Sequence, residues 1–324
     1  MVALFLRRRD SIRPMTDPSV GRSDARRAVA DAVPDERVAA VQRVDAGTNA
    51  VYRVETDADG YVVKYNTFSG RELLAAEIEV YRLLADTDLP VPQVVDAALD
   101  PADGPAFVVM TALPGSSPAG AAVTPVLARE MGAALRAFAS VPSLGGYGRL
   151  RRDPDRTPPL VASEDSWRDY VDWYVEVLLS KPSDALADLA DDVRAVIDET
   201  RHAVPAEPDP ALVVHDYRPA NVHVDADGRL VGVFDLERAA VGDLALAAVN
   251  TAYLLTRHRP EEAAQLRAAL FEGFGDEVSG ERRRCYRALA VAREIRGFDF
   301  WWGDAAVANE EAANVRRIAE GLTN

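Results

Sequence analysis

Residues 211–237 read Ala211-Leu212-Val213-Val214-His215-Asp216-Tyr217-Arg218-Pro219-Ala220-Asn221-Val222-His223-Val224-Asp225-Ala226-Asp227-Gly228-Arg229-Leu230-Val231-Gly232-Val233-Phe234-Asp235-Leu236-Glu237. Three short apolar runs each end beside a polar residue suited to phosphate chemistry: Asp216, Asn221 and Asp235. Between the second and third runs, Asp225-Ala226-Asp227-Gly228 is a hairpin signal, with Gly228 free to take a positive φ. The spacing predicts Asn221 and Asp235 on antiparallel neighbours, where an amide oxygen and a carboxylate make a site for a hard cation such as Mg²⁺. Asp216, five residues before Asn221, is placed to receive or orient the proton of an acceptor hydroxyl. Phosphoryl transfer asks a protein for this kind of positioning and charge neutralisation rather than for covalent chemistry.

The whole chain is compatible with such a site. Its 324 residues, 48% of them hydrophobic, suffice for two lobes. The net charge of −15 argues against a nucleic-acid surface, which needs a basic face. No apolar run approaches a membrane span, so a soluble, cytoplasmic protein without a membrane partner is expected. Lys64 and Lys181 are the two lysines among 37 basic residues, and the single cysteine, Cys285, lies on an apolar helical stripe as a buried structural thiol. Residues 1–24, with Met15 a second candidate initiator, are expected to be a disordered or non-native extension.

Upstream, 38–45 and 50–56 alternate apolar and polar residues around Ala46-Gly47-Thr48-Asn49, and Asp57-Ala58-Asp59-Gly60 turns into a third strand, Tyr61–Tyr65. A chain that uses arginine nearly everywhere places a lysine, Lys64, on that strand; its compact ammonium can bridge two phosphates as a point charge. The helix predicted over 72–86 carries Leu73, Leu74, Ile78, Tyr81, Leu84 and Ala85 at helical spacing. Glu77 lies on or beside that stripe and needs a partner, for which Lys64 is available. Glu79 is expected to face water. Strands over 94–99 and 106–112 complete a five-stranded sheet, and Pro114-Gly115-Ser116-Ser117-Pro118 reads as a linker.

Beyond the linker the pattern is helical. Thr124-Pro125 starts one helix, others follow over 166–179 and 184–202, and three more cover 243–256, 261–274 and 281–296. The chain then reads Phe298-Asp299-Phe300-Trp301-Trp302. The Gly145-Gly146-Tyr147-Gly148 loop does not match a dinucleotide fingerprint.

Taken together, Lys64, Glu77, a linker, Asp216-Tyr217-Arg218-Pro219-Ala220-Asn221 and Asp235 within Phe234-Asp235-Leu236-Glu237 resemble, in order and spacing, the aminoglycoside phosphotransferase and choline kinase family. The resemblance covers roughly 38–302. It implies an α+β, protein kinase-like, two-lobed fold with a nucleotide-binding lobe over 25–113 and a mainly helical catalytic and substrate lobe over 114–324. It implies ATP and Mg²⁺ as cofactors, with Asp216 and Asn221 catalytic and Asn221 and Asp235 on the metal. Lys64 would meet the α- and β-phosphates, Glu77 would hold Lys64, Gly47-Thr48-Asn49 would cover the nucleotide, and Val109, Thr111 and Leu113 would present the hinge backbone to adenine. Glu237, Glu294, Trp301 and Trp302 are the candidate acceptor contacts.

Two departures stand out. The family's loop usually reads His-Gly-Asp, where this chain has Val214-His215-Asp216, and Ala247 stands where a carboxylate would brace the loop. The expected function is ATP-dependent transfer to a hydroxyl of a small polar molecule. The alternative is a nucleotide-binding pseudokinase acting as an interaction module, supported only by these departures. Phosphorylation of a protein substrate is disfavoured, because 237–243 is too short for a peptide-docking loop.

Overall fold

The structure, a computed structural model, describes residues 20–44, 48–118, 123–140, 144–302 and 305–323. Strands β1 (Val38–Val44), β2 (Ala50–Thr56), β3 (Gly60–Tyr65), β4 (Val94–Ala98) and β5 (Phe107–Thr111) form an antiparallel sheet in the order β1-β2-β3-β5-β4. Alternation sorts its two faces. Tyr52, Val54, Val63 and Val109 pack on one side with Ala25, Ala28 and Val29 of α1 (Arg22–Ala32), a helix that crosses the boundary expected at residue 24. Val20 is buried there too, and its carbonyl accepts the Tyr52 hydroxyl at 2.9 Å, so ordered packing begins inside the expected extension. The remainder of that extension, 1–19, lies outside the described residues.

Helix α2 (Arg71–Leu84) covers the other face through Leu74, Ile78, Tyr81 and Leu84. Glu79 departs from expectation. It is buried, and its carboxylate holds Arg82 at 2.8 Å and Arg152 at 3.3 Å, tying α2 to the second lobe. The proline-rich linker is also more than a tether: Ser116 exchanges two backbone hydrogen bonds with Val224, at 3.0 and 2.8 Å. Gly115 makes that approach possible, since it has φ +73° and a Cβ there would stand 2.3 Å from the Val224 carbonyl oxygen.

The second lobe holds α3 (Pro125–Ala137), α4 (Trp167–Leu179), α5 (Ala190–Thr200), α6 (Leu244–Thr256), α7 (Ala263–Phe274), α8 (Gly280–Trp301) and α9 (Ala305–Thr323). Thr124 caps α3 as expected, accepting Leu127 N–H at 3.2 Å. The helix expected over 184–202 is broken, with residues 184–189 and 201–203 winding as 3₁₀ turns on either side of α5. Helix α8 absorbs most of the aromatic segment, and α9 was not anticipated.

This lobe is less purely helical than its sequence suggests. Strands β6 (Tyr147–Arg152), β7 (Leu160–Glu164), β8 (Ala211–Val214) and β11 (Ala239–Gly242) form a sheet in the order β7-β6-β11-β8. Ala239-Ala240-Val241-Gly242 is buried at every position, so it has no alternation to betray a strand. The hairpin of β9 (Val222–Val224) and β10 (Leu230–Val233) forms as predicted, with Gly228 at φ +77°. Helix α6, buried from Ala245 to Thr256, backs it all. Among the described residues no helix is long and apolar enough to cross a membrane.

Candidate active site

Lys64 ends β3 on the face toward α2, and α2 returns Glu77 to it. The ammonium bonds both Glu77 oxygens, at 2.9 and 3.0 Å, with the pair almost fully buried. Two further carboxylates reach the same nitrogen from the other lobe: Asp235 at 2.9 Å and Glu237 at 3.4 Å. Burial pulls the ammonium pKa down, but Asp235, Glu77 and Glu237 together hold it well above the usual lysine range. Burial, with Asp235 and Glu237 nearby, pushes the Glu77 carboxyl up to about 7 despite Lys64.

Tyr81, one turn after Glu77, links the same groups. Its hydroxyl donates to Glu77 Oε1 at 3.2 Å and accepts Asp235 N–H at 2.8 Å. Asp235 has φ +64°, the one positive φ among the described non-glycine residues. A left-handed aspartate is uncommon and is held by its surroundings; here the Tyr81 bond turns the carboxylate toward the cleft. In the sequence Tyr81 is a core position, because its spacing fits the apolar stripe and nothing local reveals its hydroxyl's partners.

Of the residues expected over the nucleotide, Gly47 lies outside the described residues. Thr48 is half-buried beside Asn49, which donates to Ser69 Oγ at 3.2 Å and to Glu237 Oε2 at 3.3 Å. Ser69 itself donates to Glu237 Oε2 at 2.8 Å. Glu237, expected at the acceptor, is thus gathered in by the first lobe. In the expected hinge, Val109 points its side chain into the α1 core, and the Thr111 amide donates to the Gln93 carbonyl at 2.9 Å. Leu113 is the hinge residue whose backbone the sheet leaves unpaired, and its side chain rests on Gly232 of β10.

Asn221 ends a 3₁₀ turn and donates its amide to the Asp216 carbonyl at 2.8 Å and to Asp216 Oδ2 at 3.0 Å. That leaves its amide oxygen for another partner. The Phe234 N–H meets the Asn221 carbonyl at 3.1 Å, which holds Asp235 beside Asn221 as the hairpin predicted. One amide oxygen and one carboxylate fit Mg²⁺, which keeps several waters and usually takes few protein ligands.

Asp216 faces two guanidiniums, Arg218 Nε at 3.1 Å from Oδ2 and Arg293 Nη2 at 3.8 Å from Oδ1. His215 turns toward Tyr170 and Tyr174 of α4. It is buried, bonds the Tyr170 hydroxyl at 3.1 Å, and burial with Arg293 and Arg238 nearby pushes its pKa down to about 3, so it is a neutral packing residue. The brace missing at Ala247 is supplied elsewhere, by Asn250 and Arg293, which both donate to the His215 carbonyl. Asp243 caps α6 and binds Arg282 and Tyr286, whose hydroxyl also accepts Trp167 Nε1–H at 3.0 Å.

The remaining acceptor candidates do not converge on Asp216. Glu294 is buried in an ion pair with Arg257. Trp301 folds onto Gly297 of its own helix and meets Phe300 edge-on at 4.7 Å, and Trp302 packs half-buried with its ring 6.3 Å from His258. Phe300 instead stacks on Phe68 of the first lobe at 5.0 Å, across the cleft. Two grooves, of about 420 and 480 Å³, run between the start of α2 and β6, and neither is lined by Asp216, Asn221 or Asp235.

Solved structures share this architecture. Aminoglycoside phosphotransferase APH(4)-Ia superimposes with a TM-score of 0.70 at 18% identity, covering 93% of this chain and 99% of that one. A thermostable mutant of the same enzyme, in a ternary complex with AMP-PNP and hygromycin B, gives 0.71 at 18% identity over 90% and 98%. Amicoumacin kinase hAmiN, in complex with AMP-PNP, Ca²⁺ and Ami, gives 0.62 at 14% identity over 92% and 95%. Among curated protein sequences none matches. The fold is therefore the kinase-like one expected. Over residues 40–289 the sequence itself matches the family described as Phosphotransferase enzyme family, and with Lys64, Asp216, Asn221 and Asp235 inside that span, the chain belongs to that family.

Proposed function

We propose that this protein transfers the γ-phosphoryl group of ATP to a hydroxyl of a small polar molecule in the cytoplasm, the first lobe holding the nucleotide and the second the acceptor. The observation that carries this reading is two sets of bonds, Glu77 to Lys64, Lys64 to Asp235 and Tyr81 to both acids, and Asn221 to Asp216, joined where the Phe234 N–H meets the Asn221 carbonyl. Lys64 takes the α- and β-phosphates, exchanging Asp235 and Glu237 for phosphate oxygens, and Leu113 offers its free backbone to adenine. Asn221 and Asp235 hold Mg²⁺, which neutralises charge on the phosphates when bound.

Asp216 orients the acceptor hydroxyl and receives its proton as the oxygen bonds to the γ-phosphorus. The bond from that phosphorus to the bridging oxygen breaks, and ADP leaves with the electron pair. Arg218, beside Asp216 and close enough to Asp235 to lower its pKa, stands where charge gathers on the transferred group. With β11 occupying most of 237–243, that segment leaves no loop for docking a peptide. The braces on the His215 carbonyl support an active loop over an interaction module.

ADP release with a panel of hydroxylated acceptors, measured for the wild type and for Asp216→Ala, tests the proposal. A loss of about 10²–10⁴-fold is expected on removing a general base, with AMP-PNP still bound. Equal phosphate transfer by both proteins would sink it.

A further inference from the structure

The arginines around the acceptor side of Asp216 are not matched by acids. Arg293, 22% exposed in its side chain, spends Nη1 on the His215 carbonyl and on Asn250 Oδ1 at 3.3 Å. Its Nη2 has Asp216 at 3.8 Å, beyond hydrogen-bond reach, and Asp216 is shared with Arg218. Arg238 has Glu237 at 3.7 Å, a carboxylate already bonded by Ser69 and shared with Lys64. Arg149 is exposed over the Trp173 ring at 5.7 Å, with no carboxylate in ion-pair range among the described residues.

These three guanidiniums surround one patch of α4. Tyr170, Trp173 and Tyr174 stack there at 5.6–6.4 Å, and Arg149, Arg238 and Arg293 all act on Tyr170 electrostatically, while Arg238 and Arg293 also act on Tyr174 and His215. In a chain of net charge −15, a local surplus of cations facing the acceptor is against the grain of the composition. A polycation approaching Asp216 would meet repulsion here. An oxyanion would give Nη2 of Arg293 and the guanidinium of Arg238 the hydrogen-bonded partner they lack.

We propose that the acceptor carries a carboxylate or phosphate close to the hydroxyl that is phosphorylated, and that Arg238 and Arg293 bind this group beside the Tyr170–Tyr174 face. The proposal rests on the phosphotransferase reading above and narrows its substrate class.

The test presents glycerate, glucose 6-phosphate, glucose and kanamycin separately with ATP and Mg²⁺, and follows ADP release by the full-length protein, Arg238→Gln and Arg293→Lys. Turnover is expected with glycerate or glucose 6-phosphate, the two arms telling carboxylate from phosphate. For the preferred anion, KM should rise roughly tenfold or more in Arg238→Gln with kcat changed much less, the loss of one charge-assisted hydrogen bond. Arg293→Lys keeps the charge near Asp216 but loses the fork, and should also raise KM. Preference for kanamycin or glucose, or an unchanged KM in both variants, overturns the proposal. If no compound is turned over, thermal stabilisation by the same panel is measured with AMP-PNP and Mg²⁺ present. Stabilisation by an anion that Arg238→Gln abolishes supports the proposal, and stabilisation by neither anion overturns it. The phosphotransferase reading is separately scored by whether any ATP turnover, including to water, depends on Asp216.

Discussion

The two ends of the cleft are built with opposite charge balance. Around Lys64, one ammonium is shared by the carboxylates of Glu77, Asp235 and Glu237; around Asp216, one carboxylate is shared by the guanidiniums of Arg218 and Arg293. The first end has negative charge to spare, which suits a divalent cation arriving with a nucleotide. The second has positive charge to spare, which suits an anion. The lobes close on each other through the first set, Lys64 holding acids from both, so the end proposed for the nucleotide also serves as the clasp of the structure.

The strongest way to break this contrast is Lys64→Met. It leaves a buried Glu77 beside two more carboxylates without their cation, and breaking a buried ion pair by removing one partner costs about 3–5 kcal/mol. Urea unfolding should show that loss, with phosphate transfer falling about 10²–10³-fold alongside it. Unchanged stability would mean that the three acids do not share the lysine.

Glu77→Gln sharpens the same point through pH. The unfolded carboxyl, with a pKa near 4.5, releases its proton before the folded one at about 7. Between those values the folded state binds the extra proton, so this group's contribution to stability is full below about 4.5 and is lost as pH rises through 7. The variant should flatten that decline, worth roughly 1–3 kcal/mol, in unfolding curves recorded from pH 4.5 to 8 without nucleotide. An identical slope in both proteins would remove Glu77 as its source.

Tyr81→Phe removes only the hydroxyl that joins Glu77 to the Asp235 backbone. A single hydrogen bond contributes about 1 kcal/mol, so kcat should fall roughly fivefold with little change in acceptor KM. Equal losses in kcat and acceptor affinity would place Tyr81 outside the nucleotide end. The smallest effect is expected from Phe68→Ala, which unstacks the two lobes at Phe300; an aromatic pair adds about 0.5–1.5 kcal/mol, read as a rise in the KM for ATP of several-fold at most.

The elements legible in the sequence were those whose side chains alternate or repeat at one period. The first sheet showed itself by alternation although both its faces are covered, α2 by its helical spacing, and the β9–β10 hairpin by its turn residues. Strand β11 and Glu79 did not. A strand buried on all sides has no period, and a carboxylate's partner three elements away, Arg152, leaves no mark near it in the chain.

By itself the sequence singled out the groups proposed to handle phosphate: a rare lysine, a glutamate on an apolar stripe, and an aspartate and asparagine spaced about a hairpin whose turn residues enforce the pairing. Only the tertiary structure decided what those groups do to one another. It closed three acids on Lys64, set Asp235 in a left-handed conformation through Tyr81, replaced the missing brace with Asn250 and Arg293, and took Glu237 and Glu294 into ion pairs. The reason is distance along the chain: local rules fix where a side chain sits on its own element, whereas charge balance at a site is summed over elements that meet only when the lobes pack.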